Sequence, residues 1–197
     1  MRLRERGIIL LIAMIAVVAL TLSGAALVRV VAAGTAIGGN LAARQQGTLA
    51  ASVAIERAVA ALLTPGTIET TADDAAHNYF AARQAGEDHR GIPAVLRSLA
   101  AYPPGWEVID AGDGHAARHV VERLCLLPGA ADAANCTLSP PSAEAASGAP
   151  PPGEPPREPR FRVTVRVDGP GGATTFVQAV LAAALPNPRL SWRVLDE

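Results

Sequence analysis

The chain has 197 residues, half of them hydrophobic, and its 17 basic residues nearly balance 18 acidic ones for a net charge of −1 at pH 7. Every basic residue is an arginine, and the arginines do not cluster. The sequence therefore offers neither a nucleic-acid-binding patch nor a field that steers anionic substrates, and we expect no nucleic-acid partner.

One uncharged stretch, Ile8 to Val28, dominates the N-terminal part of the chain. Three arginines precede it and Arg29 follows it. As a helix rising about 1.5 Å per residue, it is roughly 30 Å long, the thickness of a bilayer's hydrocarbon core. Because basic flanks stay in the cytoplasm, we predict a short basic leader at 1–7, a transmembrane segment at 8–28 and export of the residues that follow.

Three interpretations of this stretch are open. It is longer than the apolar core of a secretory signal, about 7–15 residues, although Ser23-Gly24-Ala25 has the small residues that a signal peptidase needs. It is long enough for an ordinary membrane anchor. It also has the form of a type IV prepilin N-terminus, in which a basic leader and a glycine precede an apolar helix that continues into the exported domain. The residues that follow decide between the last two.

The segment 29–63 predicts a continuation of the same helix with one apolar face. It has no proline, and its apolar or small residues recur three, four or eight positions apart. Pro65-Gly66 ends the pattern. We therefore predict one long helix with a lipid-soluble first half and an amphipathic second half. The stripe consists of Val30, Gly34, Ile37, Leu41, Leu49, Ser52, Ile55, Val59 and Leu62.

Residues 64–197 predict an exported α+β domain, in which two short helices precede a small antiparallel sheet of about five strands. A capping pattern predicts the helix Asp73–Gln84, and a proline in the first turn predicts Pro93–Ala101. The stretch 139–159 has eight prolines and is predicted to be a flexible loop. The predicted strands are Trp106–Asp110, part of Arg118–Leu127, Phe161–Asp168, Thr174–Ala184 and Leu190–Leu195.

The strand Phe161–Asp168 alternates strictly between apolar and polar residues. This pattern is typical of a half-buried strand. Phe161 and the valines are expected in the core, whereas the other face is expected in solvent. That second face consists of Arg162, Thr164, Arg166 and Asp168.

Two cysteines, Cys125 and Cys136, enclose a short loop. In the predicted topology they lie in an oxidising compartment, where a disulfide is the expected state and free thiols are the alternative. A metal site needs more ligands than this pair provides.

Other polar residues predict no catalytic, metal or cofactor site. His115 and His119 are four residues apart, near Asp110 and Asp113, a spacing that would suit a metal site on a helix. The sequence of this region predicts a turn and a strand instead, so we expect these side chains to be solvated loop residues. Gly169–Gly172 lacks the lysine of a phosphate loop and predicts a hairpin turn. Trp106 and Trp192 are expected to be core anchors, with a surface tryptophan at a subunit contact as the alternative.

Five motifs, taken in order, resemble the PilX-type minor pilins of type IV pili. Their order and spacing cover most of the chain, and the resemblance implies a pilin-like fold. The N-terminal match is a prepilin peptidase site with cleavage between Gly7 and Ile8. The motifs are Arg6-Gly7 before Ile8-Ile9-Leu10-Leu11; Gly39-Asn40-Leu41 with Arg44-Gln45; Val121-Glu122-Arg123-Leu124-Cys125; Phe161 to Val167 with Gly169-Pro170 and Gln178; and Ser191-Trp192-Arg193.

This resemblance implies a non-catalytic subunit that takes part in pilus assembly. Its implied partners are other minor pilins, the major pilin, prepilin peptidase, the assembly platform and the inner membrane. It implies a single inner-membrane span with the C-terminal domain in the periplasm, N-terminal methylation and incorporation into the pilus. It implies no cofactor.

One position departs from the common pilin pattern. Most pilins carry a glutamate as the fifth residue of the mature chain, and here that position is Ile12. We interpret this as a subunit at the leading end of the fibre. The alternatives are a minor pseudopilin of a type II secretion system, an anchored periplasmic binding module and, more remotely, a hydrolase. A break in the helix between Arg29 and Leu63 would favour the binding module.

Overall fold

The computed structural model describes residues 4–139, 159–182 and 189–195. The chain divides into two compact units, residues 1–44 and residues 45–197. Nearly all of the proline-rich stretch predicted at 139–159 lies outside the described residues, as does the end of the strand predicted at 174–184.

A single helix, α1, runs from Arg4 to Leu63, as the sequence predicts. No proline interrupts it, and its last turn ends just before Pro65 with the Thr64 amide donating to the carbonyl of Ala60 at 3.0 Å. The side chains from Ile8 to Ala42 are all exposed. From Gly47 onward one face of the helix is buried. The helix therefore changes character along its length, and the first unit consists of its exposed part.

The second unit contains a six-stranded mixed sheet within the described residues, so the molecule has α+β architecture. Its strands follow the order β1-β3-β4-β5-β6, and β2 also pairs with β3. All pairings are antiparallel except that of β1 with β3, which is parallel. The prediction of a purely antiparallel sheet is therefore wrong at this one edge. The strands are β1 (Tyr79–Phe80), β2 (Val108–Asp110), β3 (Ala116–Arg123), β4 (Arg160–Asp168), β5 (Thr174–Ala182) and β6 (Arg189–Val194).

The helix predicted at Asp73–Gln84 does not form. Asp74 caps a single 3-10 turn, Ala75–His77, by accepting a hydrogen bond from the amide of Ala76. Asn78 then adopts a left-handed conformation with φ 53°, which turns the chain into β1. Asp74 is thus used in a tight turn, because such side chains bond equally well to turn amides, whereas Asp73 accepts from the amide of Ala81 at 2.8 Å.

One face of the sheet packs against the second half of α1. The helix contributes mainly small side chains, which bring its backbone near the strands, and the strands contribute alternating apolar residues. Cross-strand neighbours such as Val163 and Ala179 are fully buried there. The buried residues of this layer include Ala50, Ala51, Ala54, Ile55, Ala58, Val121, Phe161, Val163, Val165, Val167, Val177, Ala179 and Leu181.

The other face of the sheet is also covered, contrary to the expectation of a solvent-exposed face. A short helix, α2 (Ala94–Arg97), and a following 3-10 turn, Leu99–Ala101, lie in the covering segment. They fall within the predicted helix Pro93–Ala101, which breaks at Ser98. The second core layer consists of Ile92, Leu96, Tyr102, Val120 and Leu195, with Phe80, Val95, Trp106 and Phe176 packed against it.

The polar residues on this covered face are paired with one another. Arg162 lies directly across from Glu122 in the β3–β4 register, and its Nη2 is 2.7 Å from Oε2 of Glu122. Glu87 from the covering segment also forms an ion pair with Arg162. Burial raises the pKa of Glu122. Burial also acts to raise the pKa of Glu87, but Arg162 outweighs it and holds that pKa below its usual value. The arginine thus compensates two carboxylates.

A disulfide joins Cys125 and Cys136 beyond the end of β3. Main-chain bonds flank it, since the Leu126 amide donates to the carbonyl of Asn135 and the Thr137 amide to the carbonyl of Leu124, both at 2.8 Å. The loop predicted to follow β3 is therefore anchored at its start.

Removal of this disulfide tests its contribution to stability. The bridge spans 11 positions of sequence. The paired substitution Cys125→Ala with Cys136→Ala is expected to lower the free energy of unfolding by about 3 kcal/mol, mainly because the unfolded chain regains entropy. Urea unfolding of the full chain in detergent micelles measures the change. Reduction of the wild-type chain should have the same effect, and a stability that is indifferent to reductant would contradict the prediction.

Gly47 tests the close contact between α1 and the sheet. A β-carbon added there would lie 2.5 Å from Oγ1 and 3.0 Å from Cβ of Thr175 in β5. Gly47→Ala is therefore expected to lower the free energy of unfolding by about 1–2 kcal/mol, although alanine is the better helix former by roughly 1 kcal/mol.

Gly38→Ala is the matched control, because an added β-carbon there has nothing within 4 Å. It should leave stability unchanged or slightly raised. Equal behaviour of the two variants in the same urea experiment would mean that Thr175 does not restrict the helix.

Candidate functional site

The first candidate site is the apolar surface of α1. One helix is long and apolar enough to cross a membrane, and it lies near the N-terminus. Its large apolar side chains are exposed; Leu10 is 73% exposed and Leu20 is 72% exposed. Exposed apolar surface of this extent marks a membrane or protein contact in a folded chain.

Polar groups on this surface are satisfied within the helix itself. Thr21 donates its hydroxyl to the carbonyl of Val18, and Ser23 donates to the carbonyl of Ala19, both at 2.8 Å. Such bonds remove the cost of carrying a hydroxyl into hydrocarbon. An added β-carbon at Gly24 or Gly34 would meet nothing within 4 Å, so these positions offer open backbone for a close partner. The surface suits lipid and tightly packed helices alike.

The predicted cleavage position lies inside this helix, since both Gly7 and Ile8 fall within α1. Ile8 is exposed, as are the residues that follow it. Ile12 is exposed at 60% and presents an apolar side chain. Processing between Gly7 and Ile8 stays a prediction.

The second candidate site is a polar cavity in the sheet-containing unit, and its central residue is His119. The expectation that His115 and His119 are solvated loop residues is wrong. His115 is 7% exposed, with Nδ1 3.2 Å from the carbonyl oxygen of Gly112, and His119 is 2% exposed in the middle of β3. Among the described residues, no group of three or more histidine, cysteine, aspartate or glutamate side chains is placed to hold a metal ion.

His119 occupies a position that the strand pattern reserves for an apolar side chain. Ala117 and Val121, two residues before and after it, belong to the core layer under α1. Its partner across the sheet is Val165, which is fully buried. The Nδ1 atom of His119 is buried and has no hydrogen-bond partner among the described residues. An unpaired buried nitrogen of this kind is rare in native proteins, and it identifies this part of the core as exceptional.

A cavity of about 300 Å³ adjoins His119. Its walls come from the end of α1, from the loop after it, from the 3-10 turn, from the residue before β2 and from β3. Its lining combines charged and polar side chains with methyl groups. The lining residues are Arg57, Ala58, Ala61, Thr67, Ala76, His77, Glu107 and His119.

Local hydrogen bonds fix the polar wall of this cavity. Asn78 is fully buried, and its side chain donates to the carbonyl of Glu107 at 3.2 Å and accepts from the Glu107 amide at the same distance. His77, the residue before it, places Nδ1 2.7 Å from a carboxylate oxygen of Asp74. That hydrogen bond holds the pKa of the Asp74 carboxyl below its usual value. The turn that replaces the predicted helix is thus bonded through Asn78 to the main chain of Glu107.

Two residues of the cavity lining form an ion pair. Arg57 of α1 places Nη2 2.6 Å from Oε1 of Glu107, and the two side chains are 62% and 33% exposed. Burial and, to a lesser extent, the nearby Arg57 guanidinium together lower the pKa of His119 to about 4. His119 is therefore a neutral imidazole at physiological pH. Sequence reasoning missed Arg57, His77 and Glu107 because they lie far apart in the chain. A usable signal was that His119 lies on the same strand face as Ala117 and Val121, which are both apolar.

The two predicted core anchors have different environments. Trp106 packs against Tyr102 with ring centroids 5.6 Å apart, so its predicted role as a core anchor is confirmed. Trp192 is 57% exposed, so the same expectation for it is wrong. It lies on β6, opposite Ala179 of β5.

The pH dependence of stability tests the buried state of His119. In the unfolded chain its pKa is about 6.5, and in the folded chain it is about 4. Between these values only the unfolded chain takes up the proton, so stability is fully present above the unfolded pKa and falls as pH drops. The loss attributable to His119 is expected to be roughly 3 kcal/mol between about pH 7 and pH 4.

The matched variant is His119→Gln, which is neutral throughout this range. Urea unfolding of both chains across the range gives the contribution of His119 as the difference between the two curves, because the other titrating groups are common to both. Parallel curves would show that the pKa of His119 is the same in the folded and the unfolded chain.

Comparison with known proteins assigns no family or function to either candidate site. The chain matches no protein-family model, no curated protein and no solved structure.

Proposed function

We propose that this chain is a minor pilin, a non-catalytic structural subunit that takes part in assembly of a type IV pilus. The observation that carries the proposal is the uninterrupted run of α1 from Arg4 to Leu63. One helix supplies both the exposed apolar surface and a layer of the core under the sheet. A plain membrane anchor would ordinarily end in a linker at the membrane surface, and the interval Arg29–Leu63 has none.

The physical basis of such a function is the transfer of an apolar helix from the membrane to a bundle of protein helices. Before assembly, the segment 8–28 lies in the inner membrane with the sheet-containing unit in the periplasm. On assembly the same apolar surface moves from lipid into a bundle of neighbouring pilin helices. Lipid chains are as apolar as leucine, so this transfer gains little hydrophobic free energy, and close packing of small residues has to contribute. Such residues recur at spacings of three or four: Ala13, Ala16, Ala19, Ser23 and Ala26.

The pilin-like fold and its processing belong to this proposal. Prepilin peptidase cleaves between Gly7 and Ile8, and the new N-terminus is methylated. The partners are other minor pilins, the major pilin and the assembly platform. Ile12 supplies no carboxylate for the amine of a neighbouring subunit, so the chain sits at the leading end of the fibre, near its tip.

A minor pseudopilin of a type II secretion system is the alternative with the same physical plan, since it would use the same helix in the same way. The anchored periplasmic binding module gains support from the polar cavity, but the uninterrupted α1 favours a subunit of a fibre over it.

Deletion of the gene in its native host tests the proposal. Surface pili, counted by electron microscopy, are expected to be lost or strongly reduced, and the wild-type gene should restore them. Complementation with Gly7→Glu should fail, because a bulky charged residue at the cleavage position blocks processing. N-terminal sequencing of the membrane-extracted wild-type chain should begin at Ile8.

The matched control for this experiment is Gly38→Ala, because an added β-carbon at Gly38 would meet nothing within 4 Å. It should be processed and should restore pili. Normal pilus numbers in the deletion strain, together with a mature chain that begins at Met1, would overturn the proposal. Normal pili with loss of protein secretion would assign the chain to a pseudopilus instead.

A further inference from the structure

The cavity beside His119 has the features of a ligand site rather than of a packing defect. Dry packing defects are lined by apolar side chains, whereas this cavity carries a cation, an anion and an imidazole. Its volume of about 300 Å³ lies at the small end of the range for small-molecule sites. The buried Nδ1 of His119 has no hydrogen-bond partner in the part of the chain that the structure describes. A ligand that bonds to this imidazole would satisfy it.

The ion pair at the cavity limits what that ligand can be. Arg57 and Glu107 are both partly exposed, so their mutual attraction is weak and their contact is easily exchanged. An anion that bound to Arg57 would leave the Glu107 carboxylate unpaired. A cation that bound to Glu107 would leave the Arg57 guanidinium unpaired. A molecule carrying both charges pairs each of them. His77 is already bonded to Asp74 and is not required for this exchange.

We propose that the cavity binds a zwitterionic α-amino acid with a small hydroxylated side chain. Its carboxylate accepts from Arg57, its ammonium donates to Glu107, and its hydroxyl bonds to the neutral imidazole of His119. The methyl groups of Ala58 and Ala61 leave the space that the ligand fills. This inference is independent of the pilus assignment, because every residue it uses lies in the unit 45–197.

Histidine-selective NMR of the full chain in detergent micelles tests the site with L-serine as the probe. The sequence has four histidines, so the ring nitrogen spectrum is simple. Titration with L-serine is expected to shift the His119 signals saturably. The exposed His89, which does not line the cavity, should not move. Ethanolamine, which lacks the carboxylate, and 3-hydroxypropionate, which lacks the ammonium, are each expected to bind about tenfold more weakly or not at all.

Substitutions complete the test. Arg57→Gln removes the partner of the ligand carboxylate and is expected to weaken L-serine binding by about tenfold. Glu107→Gln removes the partner of the ligand ammonium and should weaken binding by the same factor. Arg97→Gln, at an exposed arginine outside the cavity, is the matched control and should bind as the wild type does. Thermal unfolding of each variant shows that the fold is retained.

Two results would overturn the proposal. One is the absence of any saturable shift of His119 with L-serine. The other is an equal response to serine, ethanolamine and 3-hydroxypropionate, since this would show that the paired charges do not select a zwitterion.

Discussion

The close approach of α1 to the sheet is the constraint on which the rest of the sheet-containing unit depends. Ala51 and Ala54 have no solvent exposure, and Gly47 lies so near Thr175 that a β-carbon would collide with its hydroxyl. Large helix side chains at these positions would push the two layers apart. The helix is therefore part of the core, and the compact unit begins inside it at Gln45.

The same use of small residues explains the cavity. Ala58 and Ala61 continue the small side chains of α1 toward its end, opposite His119. At Gly47 the strand side chain fills the space left by the helix, whereas near His119 the space is unfilled. An imidazole without a hydrogen-bond partner is costlier at that position than an aliphatic side chain, so its presence there is explained if a molecule in the cavity bonds to it.

On the opposite face, the sheet carries a buried polar layer instead of a solvent boundary. Arg162 bonds to Glu122 and Glu87, while Gln178 bonds to Thr164 and to the carbonyl of Gly91, each at 3.2 Å. Because buried charges are costly when unpaired, this layer stabilises one particular placement of the covering segment over others. The sheet thus has an apolar face that packs the helix and a polar face that orients the chain above it.

Sequence patterns predicted the regular elements well and their surroundings less well. The absence of proline predicted α1, and strict alternation predicted β4 and its hairpin partner β5, because both signals are local. Alternation shows that a strand has two faces, but it does not show whether a nonlocal segment covers the second one. Asp88 holds that segment through amide bonds to Arg90 and Ile92, a turn device that leaves no periodic signal. His119 was assigned to a loop because a run of glycine and aspartate just before it hid the start of β3.

The dual role of α1 limits how a protease could release the sheet-containing unit. Cleavage among the small residues near Ser23 would leave every buried turn of the helix in place. Cleavage beyond Gln45 would instead remove helical turns from the core and expose the valines beneath them. A released form that keeps its fold must therefore carry a helical stub, and a fragment that begins after Leu63 would be prone to aggregation rather than a free domain.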